Sequence, residues 1–487
     1  MIRRTARISS RWATALAAIA ALPLAACSNT TNYYGAEPGV QSAQASDASG
    51  GRAKNVILFV GDGMGISTIT AARILAGQRQ GQTGEEYRLS FETFDNVALV
   101  KTYNTDAQVA DSAGTASALN TGSKTRIGVI NTPPEIPRGD CAASQGRVLP
   151  RIADEALMHG KAVGIVTTTR LTHATPAAVY GLSPDRDWEA DSDIPAAMRA
   201  AGCPDLAQQL VAFPFTVALG GGVGKFVGSA KGGSRIDAAA DLPGEWSART
   251  GGTYVTDTDA MRRASLDKPV LGLFARSHLE YMENRAPGTG EPTLTEMTAE
   301  SIRRLSDDPD GYYLMVEGGR IDHGHHAGQA GLALTETIEF ARAIQYAVEN
   351  TDPAETLILV TADHSHVFTM AGYPKRGNPI LGLVTPPGDG DEDHIGGADG
   401  SPVLAADGKP YSTLSYANGP GAVRGERPEP GTGVQARQQS LIPLGSETHG
   451  GEDVALFGTG PGAQRVHGVI EQNVVADIMR AAFGWED

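Results

Sequence analysis

A glutamate, an aspartate and a histidine are closely spaced in the segment 316–326, VEGGRIDHGHH. Glu317 closes an apolar run, and His326 follows Asp322 by four positions. Side chains four residues apart share one face of a helical turn, so that Asp322 and His326 can reach a single cation. A glutamate at the end of a buried strand stands where open α/β sheets bind their ligands. The segment predicts a metal site, and a solvated turn that is rich in histidine is the alternative.

Other acidic and histidine residues also adjoin apolar runs. Asp62 follows the run VILFV, and Asp363 and His364 follow the run TLILV. Both runs are of the continuous apolar kind that is typical of buried parallel strands. A turn-forming Asp-Gly is the alternative explanation for Asp62. His449 lies in THGGED, shortly before the run VALF. Such residues can together hold two or three hard or borderline cations.

Asp111 and Ser112 precede a stretch of small residues that favours a helix. A serine at a helix N-terminus meets the positive end of the helix dipole, which stabilises an alkoxide or a bound phosphate. An ordinary N-cap is the alternative. Ser112 is a candidate nucleophile, and Arg186 offers a planar guanidinium for phosphate oxygens. Two cations about 4 Å apart would stabilise the entering and leaving oxygens of a displacement at phosphorus.

The elements that must position these residues alternate between strand and helix. This alternation predicts a doubly wound, mostly parallel central sheet with helices on both faces, whose carboxyl edge gathers the candidate residues. Residues 367–447 are dense in glycine and proline and contain short β-like runs, so we expect a β excursion there.

The chain has 487 residues, of which 41% are apolar and 20% charged, as in soluble globular proteins. Its net charge of −16 argues against nucleic acid as a partner.

The amino-terminal residues predict export. Residues 1–26 combine a basic start with an apolar run that is too short to span a bilayer, as in a signal peptide. The sequence LAAC at Cys27 resembles a bacterial lipobox, which implies a lipid on Cys27 that anchors the protein to a membrane. An ordinary secretory signal is the alternative. In either case we expect the protein in the periplasm or at the outer surface. Residues 27–53 are polar and glycine-rich, which predicts a flexible tether.

Two further cysteines, Cys141 and Cys203, lie in the remainder of the chain. In an oxidising compartment an isolated pair most often forms a disulfide, which we expect here, and free buried thiols are the alternative.

Seven segments in this order resemble the motifs of the alkaline phosphatases, and residues 54–487 are identified as a domain of that family with 367–447 as a crown-like insertion. The motifs are GDGMG at 61–65, DSAGTASA at 111–118, THATP at 172–176, RDW at 186–188, VEGGRIDHGHH at 316–326, TADHSH at 361–366 and THGGEDVA at 448–455. Their details are closest to those of the animal-type enzymes.

The resemblance implies a homodimeric enzyme that hydrolyses small phosphate monoesters with two zinc ions and one magnesium ion. Ser112 would attack the phosphoryl group and form a phosphoserine, Arg186 would clamp the phosphate oxygens, and Asp111 would hold Arg186. The implied metal ligands are Asp322, His326 and His449 for one zinc, Asp363, His364 and Asp62 for the second zinc, and Asp62, Glu317 and Thr175 for the magnesium.

Two positions separate branches of the family. The enteric bacterial enzyme has Asp and Lys where this chain has His173 and His323, and the two histidines resemble the animal-type enzymes. A histidine at these places should change how the water shell of the magnesium is held.

A calcium site of the animal-type enzymes is expected to be weak or missing here. The glutamate that follows a phenylalanine in those enzymes is replaced by Ala275 after Phe274, and Glu291 stands where the family has an aspartate. Calcium affinity falls as charged ligands are lost.

The alternatives are other enzymes of the same superfamily, above all a phosphodiesterase, and a surface lipoprotein that binds metal or phosphate without turnover. A sulfatase requires a C/S-x-P-x-R setting, whereas Ser112 is followed by Ala113 and Gly114.

Overall fold

The structure is a computed structural model that describes residues 51–387 and 400–485. The predicted signal peptide, Cys27 and most of the predicted tether lie outside the described residues. Within the described ranges, every helix is too short or too polar to cross a membrane.

The strands of the described residues form one large sheet and two small ones. In chain order they are β1 (Asn55–Gly61), β2 (Asn96–Lys101), β3 (Ala162–Arg170), β4 (Val217–Gly221), β5 (Thr253–Val255), β6 (Val270–Leu273), β7 (Tyr312–Glu317), β8 (Thr356–Ala362), β9 (Ser365–His366), β10 (Phe368–Met370), β11 (Leu414–Gly419), β12 (Ser440–Pro443), β13 (His449–Gly450), β14 (Val454–Thr459) and β15 (Gly468–Glu471).

The large sheet has ten strands in the order β15-β2-β14-β8-β1-β7-β3-β4-β6-β5. Within the part of the chain that the structure describes, β14 is the one strand of this sheet that runs antiparallel to its neighbours. The strands β1, β7 and β8 at its centre are buried along almost their whole length. This burial on both faces explains their continuous apolar sequences.

The α-helices cover the two faces of this sheet. In chain order they are α1 (Ile66–Arg79), α2 (Ser112–Thr121), α3 (Cys141–Ser144), α4 (Ile152–Met158), α5 (Ala174–Tyr180), α6 (Ala196–Ala200), α7 (Leu206–Ala212), α8 (Val223–Phe226), α9 (Leu242–Thr250), α10 (Thr258–Arg263), α11 (Leu294–Leu305), α12 (Arg320–His326), α13 (Ala330–Asn350) and α14 (Val474–Phe483). The helices α1, α11 and α12 pack against α13, while α2 packs against α5 and α14. The predicted doubly wound α/β fold is confirmed.

Helix α13 packs against the central sheet through an aromatic side chain. Phe340 of α13 meets Phe59 of β1 edge to face, with ring centroids 5.8 Å apart, and also meets Phe91. Aromatic pairs in this geometry add about 0.5–1.5 kcal/mol to the stability that area burial supplies.

The strands of the two small sheets come between β8 and β14 in the chain. The sheet β10-β11-β12 lies within residues 367–447, where the sequence predicted a β excursion, and the pair β9 and β13 flanks it.

The predicted disulfide is present between Cys141 and Cys203, whose Cα atoms are 6.1 Å apart. It packs with Trp188 and Ile194 in a small hydrophobic cluster that is separate from the main core. The disulfide therefore supports the segment that carries Arg186.

Candidate active site

The register of the central strands brings three carboxylates to one edge of the sheet. Val60 pairs with Glu317 on one side and with Thr361 on the other, and Gly61 pairs with the last residue of β8. Asp62 and Asp363 each follow their strand directly, so they stand side by side two residues beyond the level of Glu317. All three carboxylates are fully buried.

His449 reaches the same edge from a strand of the opposite direction. Because β14 is antiparallel to β8, its amino end lies where β8 ends, and His449 precedes that end. His449 also pairs with His366 across the short ladder of β13 and β9. These pairings place a segment distant in sequence beside Asp322.

The first group of candidate ligands consists of Asp322, His326 and His449. The Oδ1 atom of Asp322 lies 3.5 Å from Nε2 of His449, and an oxygen of Asp322 lies 3.2 Å from Nε2 of His326. The Nδ1 atoms of the two imidazoles contact backbone carbonyls, that of Ala110 for His449 (2.8 Å) and that of Glu447 for His326. Such contacts make Nδ1 the donor and leave Nε2 free to bind a metal.

The second group consists of Asp62, Asp363 and His364. The Nε2 atom of His364 lies 3.4 Å from a carboxylate oxygen of each aspartate. Asp363 accepts hydrogen bonds from the backbone N–H groups of Gly63 (3.0 Å) and His364 (2.9 Å), which orient its carboxylate. Ser112 Oγ lies 3.2 Å from the same His364 nitrogen, so the candidate nucleophile adjoins this group.

The third group shares Asp62 with the second group and adds Glu317 and His173, with Thr175 beside Glu317. Asp62, His173 and Glu317 offer atoms within 4.8 Å of one another. Glu317 Oε2 accepts hydrogen bonds from Thr169 Oγ1 (3.0 Å) and from Thr167, so that Oε1 is the oxygen left to a ligand.

The buried polar atoms of the site fit metal ions. Among the described residues, both oxygens of Asp62, Glu317 Oε1 and Thr175 Oγ1 are buried without a hydrogen-bond partner. Burial, together with the nearby Asp363 carboxylate, raises the pKa of Asp62 well above its ordinary value, and burial raises the pKa of Glu317 to about 7. Unpaired buried carboxylates are costly, and a cation removes this cost. The mixed nitrogen and oxygen donors suit zinc, and the oxygen-rich third group suits magnesium.

Ser112 and Arg186 are positioned by Asp111, the N-cap of α2. Asp111 Oδ1 accepts a hydrogen bond from Gly114 N–H (3.1 Å), which satisfies a free donor of the first helical turn. Its Oδ2 accepts from Arg186 Nη1 and from Gly128 N–H, both at 3.0 Å. One carboxylate therefore sets both the start of the helix that carries Ser112 and the direction of the guanidinium.

Two buried residues that the sequence reasoning missed support the first group. His366 Nε2 lies 3.0 Å from Asp322 Oδ1, and His366 Nδ1 donates to Glu447 Oε2 at 2.6 Å. Burial lowers the pKa of His366, but the bonds to Asp322 and Glu447 outweigh burial and raise it to about 9. Two sequence features could have pointed to these residues. His366 is the second histidine of the TADHSH motif, and Glu447 lies two positions before His449.

The predicted histidines His173 and His323 adjoin a third, His278, that the sequence reasoning did not single out. Burial lowers the pKa of all three imidazoles, and nearby guanidinium groups lower it further. The pKa of His323 falls to about 4.

The predicted remnant of a calcium site is engaged in contacts within the protein. Glu291 Oε2 accepts a hydrogen bond from the backbone N–H of Glu280 at 2.9 Å and lies 4.0 Å from Arg285. Ala275, which follows the buried Phe274, supplies no carboxylate.

Comparisons with known proteins agree with this geometry. The family model for alkaline phosphatase matches residues 53–485. The tissue-nonspecific alkaline phosphatase of Gallus gallus is 43% identical over 455 residues, covering 88% of this chain and 84% of that protein. The human tissue-nonspecific isozyme is also 43% identical, over 463 residues, with coverage of 88% and 83%.

Solved structures show the same fold. The alkaline phosphatase of Thermus thermophilus has a TM-score of 0.65 at 24% identity and covers 93% of this chain and 96% of its own. That of the Antarctic bacterium TAB5 has a TM-score of 0.61 at 22% identity, with coverage of 90% and 99%. The chain therefore belongs to the alkaline phosphatase family, the metal-dependent enzymes that hydrolyse phosphate monoesters.

Proposed function

We propose that this enzyme hydrolyses phosphate monoesters through a phosphoserine on Ser112. The observation that carries the proposal is the position of Ser112 Oγ, 3.2 Å from His364 Nε2 and next to the buried Asp62 and Asp363. A hydroxyl here stands at the N-terminus of α2, where the dipole of a ten-residue helix stabilises negative charge.

We propose two zinc ions and one magnesium ion as the cofactors. Asp322, His326 and His449 would hold one zinc, Asp363 and His364 the second, with Asp62 shared between this zinc and a magnesium that Glu317 and Thr175 also bind. When bound, these cations supply Lewis-acid stabilisation to the entering and leaving oxygens.

The side chains around Ser112 would orient the phosphoryl group. Arg186 would donate two N–H groups to nonbridging phosphate oxygens, because its guanidinium is planar and its direction is set by the 3.0 Å bond to Asp111. The serine oxygen would then attack phosphorus while the ester oxygen leaves on the opposite side, and hydrolysis of the phosphoserine would release inorganic phosphate. Ser112 is 2% exposed, so bulk water is largely kept from the nucleophile.

His173 and His323 would act beside the magnesium group. His173 Nε2 lies 3.4 Å from Arg186 Nη2 and its ring belongs to the third ligand group. We propose that the two histidines influence how the third cation and its water are held.

We also propose that the enzyme is exported as a lipid-anchored protein. Residues 1–26 would be removed, Cys27 would carry the lipid, residues 27–53 would form a tether, and residues 54–487 would form the enzyme domain with its insertion at 367–447. A homodimer in the periplasm or at the outer surface is part of this proposal.

The decisive experiment compares an aryl phosphate monoester with an aryl phosphate diester, with and without a chelator. We expect chelator-sensitive hydrolysis that favours the monoester. Ser112→Ala should lose activity by several orders of magnitude while it keeps its metals, because the covalent path is gone. Ser117→Ala is a matched control, since Ser117 is also buried on α2, but its hydroxyl donates to the carbonyl of Ala113 and accepts from the backbone N–H of Asn131.

Preference for the diester would instead support a phosphodiesterase, and metal binding without hydrolysis would support a binding protein. A Ser112→Ala variant that retained most of the wild-type rate would contradict the phosphoserine path.

A further inference from the structure

A cluster of three imidazoles lies beside the candidate active site. The ring centroids of His278 and His323 are 4.2 Å apart, and His173 lies 5.5 and 5.6 Å from them. His173 belongs to the third group of candidate metal ligands, whereas His278 and His323 belong to none of the ligand groups found among the described residues. The roles of His278 and of its surroundings are therefore open.

Each imidazole of this cluster contacts an arginine through a ring nitrogen. A guanidinium can only donate hydrogen bonds, so the contacted nitrogen is an acceptor and the opposite ring nitrogen carries the proton. The pairs are His173 Nε2 with Arg186, His278 Nε2 with Arg170, and His323 Nδ1 with Arg320 at 3.0 Å. The arrangement presents neutral rings whose remaining N–H groups are donors.

Three donors of the cluster and its arginines are buried without an acceptor. In the ranges 51–387 and 400–485, His173 Nδ1, His278 Nδ1 and Arg320 Nε have no hydrogen-bond partner. Buried donors without partners are rare and usually indicate a ligand, an ion or water. The unused donors of these three side chains therefore require an acceptor.

Arg170 and Arg320 differ in whether a carboxylate bonds to the guanidinium, and this difference favours an anion near Arg320. Arg170 is tied to both oxygens of Glu189 at 2.6 Å, which compensates its charge. Arg320 forms no ion pair within 4.0 Å among the described residues, although its charge opposes the burial that raises the pKa of the more distant Glu336; its guanidinium lies 3.6 Å from the ring centroid of Tyr281. A guanidinium without a directly bonded carboxylate, next to neutral N–H donors, suits an oxyanion.

We propose that His278, His323 and Arg320 form a second anion-binding subsite, which recognises a carboxylate or second phosphate on the leaving group of the substrate. This inference rests on the proposed function, because Arg186 would hold the reacting phosphate and contacts the cluster through His173. The favoured substrates are phosphate monoesters whose alcohol part carries another anion a few atoms from the scissile bond.

The test uses two pairs of substrates that differ in one anionic group. In each pair, 2-phosphoglycerate with glycerol 2-phosphate and 3-phosphoglycerate with glycerol 3-phosphate, a carboxylate replaces a hydroxymethyl group. The measured quantity is the ratio of kcat/KM within each pair, from phosphate release by the metal-loaded full chain. We expect a ratio of about ten or more in at least one pair, as for one charge-assisted hydrogen bond.

His278→Phe keeps a ring but removes its donor, and Arg320→Met removes the guanidinium, which has no directly bonded carboxylate. Both variants should bring the favoured ratio to about one, while a general change in activity cancels from the ratio. Arg276→Met is the matched control, because Arg276 is exposed and lies two residues before His278 in the same loop. This variant should keep the wild-type ratio. His278→Phe tests the subsite even if Arg320→Met does not fold.

The outcomes separate the subsite from the proposed function. Hydrolysis of both members of each pair with a ratio near one in the wild type refutes the subsite and leaves the proposed function intact. A high ratio that survives in His278→Phe shows that other residues bind the anion and overturns this assignment. Absence of hydrolysis of all four esters overturns both proposals.

Discussion

Glu447 provides a sharp test of how the protein supports its first group of candidate metal ligands. Its carboxylate is almost completely buried, with Oε2 accepting from His366 Nδ1 at 2.6 Å and Oε1 accepting from the backbone N–H of Val367 at 2.8 Å. Its backbone carbonyl contacts Nδ1 of His326. His366 in turn lies 3.0 Å from Asp322. Glu447 therefore orients two neighbours of the proposed zinc without touching the metal.

Glu447→Gln preserves the shape but replaces one acceptor oxygen by an NH₂ group. Either His366 or Val367 then loses its acceptor, and a buried donor without a partner costs about 1–3 kcal/mol. Because 1.4 kcal/mol corresponds to about ten-fold in an equilibrium constant, we expect zinc affinity to fall by about 10- to 100-fold. This free-energy cost weakens metal binding because the displaced His366 no longer holds the ligand Asp322 in place.

The assay is competition for zinc against a chromophoric chelator, with metal content measured by mass spectrometry and folding followed by circular dichroism. Glu452→Gln is the control, because Glu452 is exposed, accepts from Ser365 and contacts neither His366 nor His326 in the described residues. Excess zinc should restore much of the activity of Glu447→Gln. Wild-type zinc affinity, within two-fold, in a folded Glu447→Gln protein would refute this reasoning.

Three further predictions concern the rest of the domain. Native protein should contain no titratable thiol from Cys141 or Cys203. Cys203→Ser should lower the free energy of unfolding in urea by about 4 kcal/mol, because the disulfide spans 62 residues. A change below about 1 kcal/mol would contradict the entropic argument. Burial raises the pKa of Glu336 from 4.5 to about 7, so its stability contribution is complete below its unfolded pKa and is lost as pH rises through 7. The free energy of unfolding of Glu336→Gln, measured in urea relative to the wild type, should therefore rise by up to about 3 kcal/mol between about pH 5 and about pH 9. An equal difference between variant and wild type at both pH values would exclude a titrating Glu336. Protein purified without added calcium should lack stoichiometric calcium beside Phe274, and finding such calcium by elemental analysis and crystallography would overturn the expected loss of that site.

The sequence alone was sufficient where local pattern and strand direction agree. The continuous apolar runs predicted buried parallel strands, and parallel strands end at a common edge. Asp62, Glu317 and Asp363 follow from this rule, because each one ends or directly follows such a run. The small residues after Asp111 likewise predicted the helix that begins at Ser112, and the isolated cysteine pair predicted the disulfide. The metals and the roles of these residues came from the family resemblance, and they stay predictions.

The tertiary structure decided which distant segments meet. His449 reaches Asp322 because β14 runs antiparallel to β8, a direction that no local pattern in the sequence encodes. The contact between His366 and Glu447 joins residues that are 81 positions apart. His278 lies outside all the quoted motifs, and its relation to His323 depends on how separate loops pack at the edge of the sheet. Sequence pattern determined the groups that end each strand, whereas pairing across the fold determined which groups share an ion or an anion.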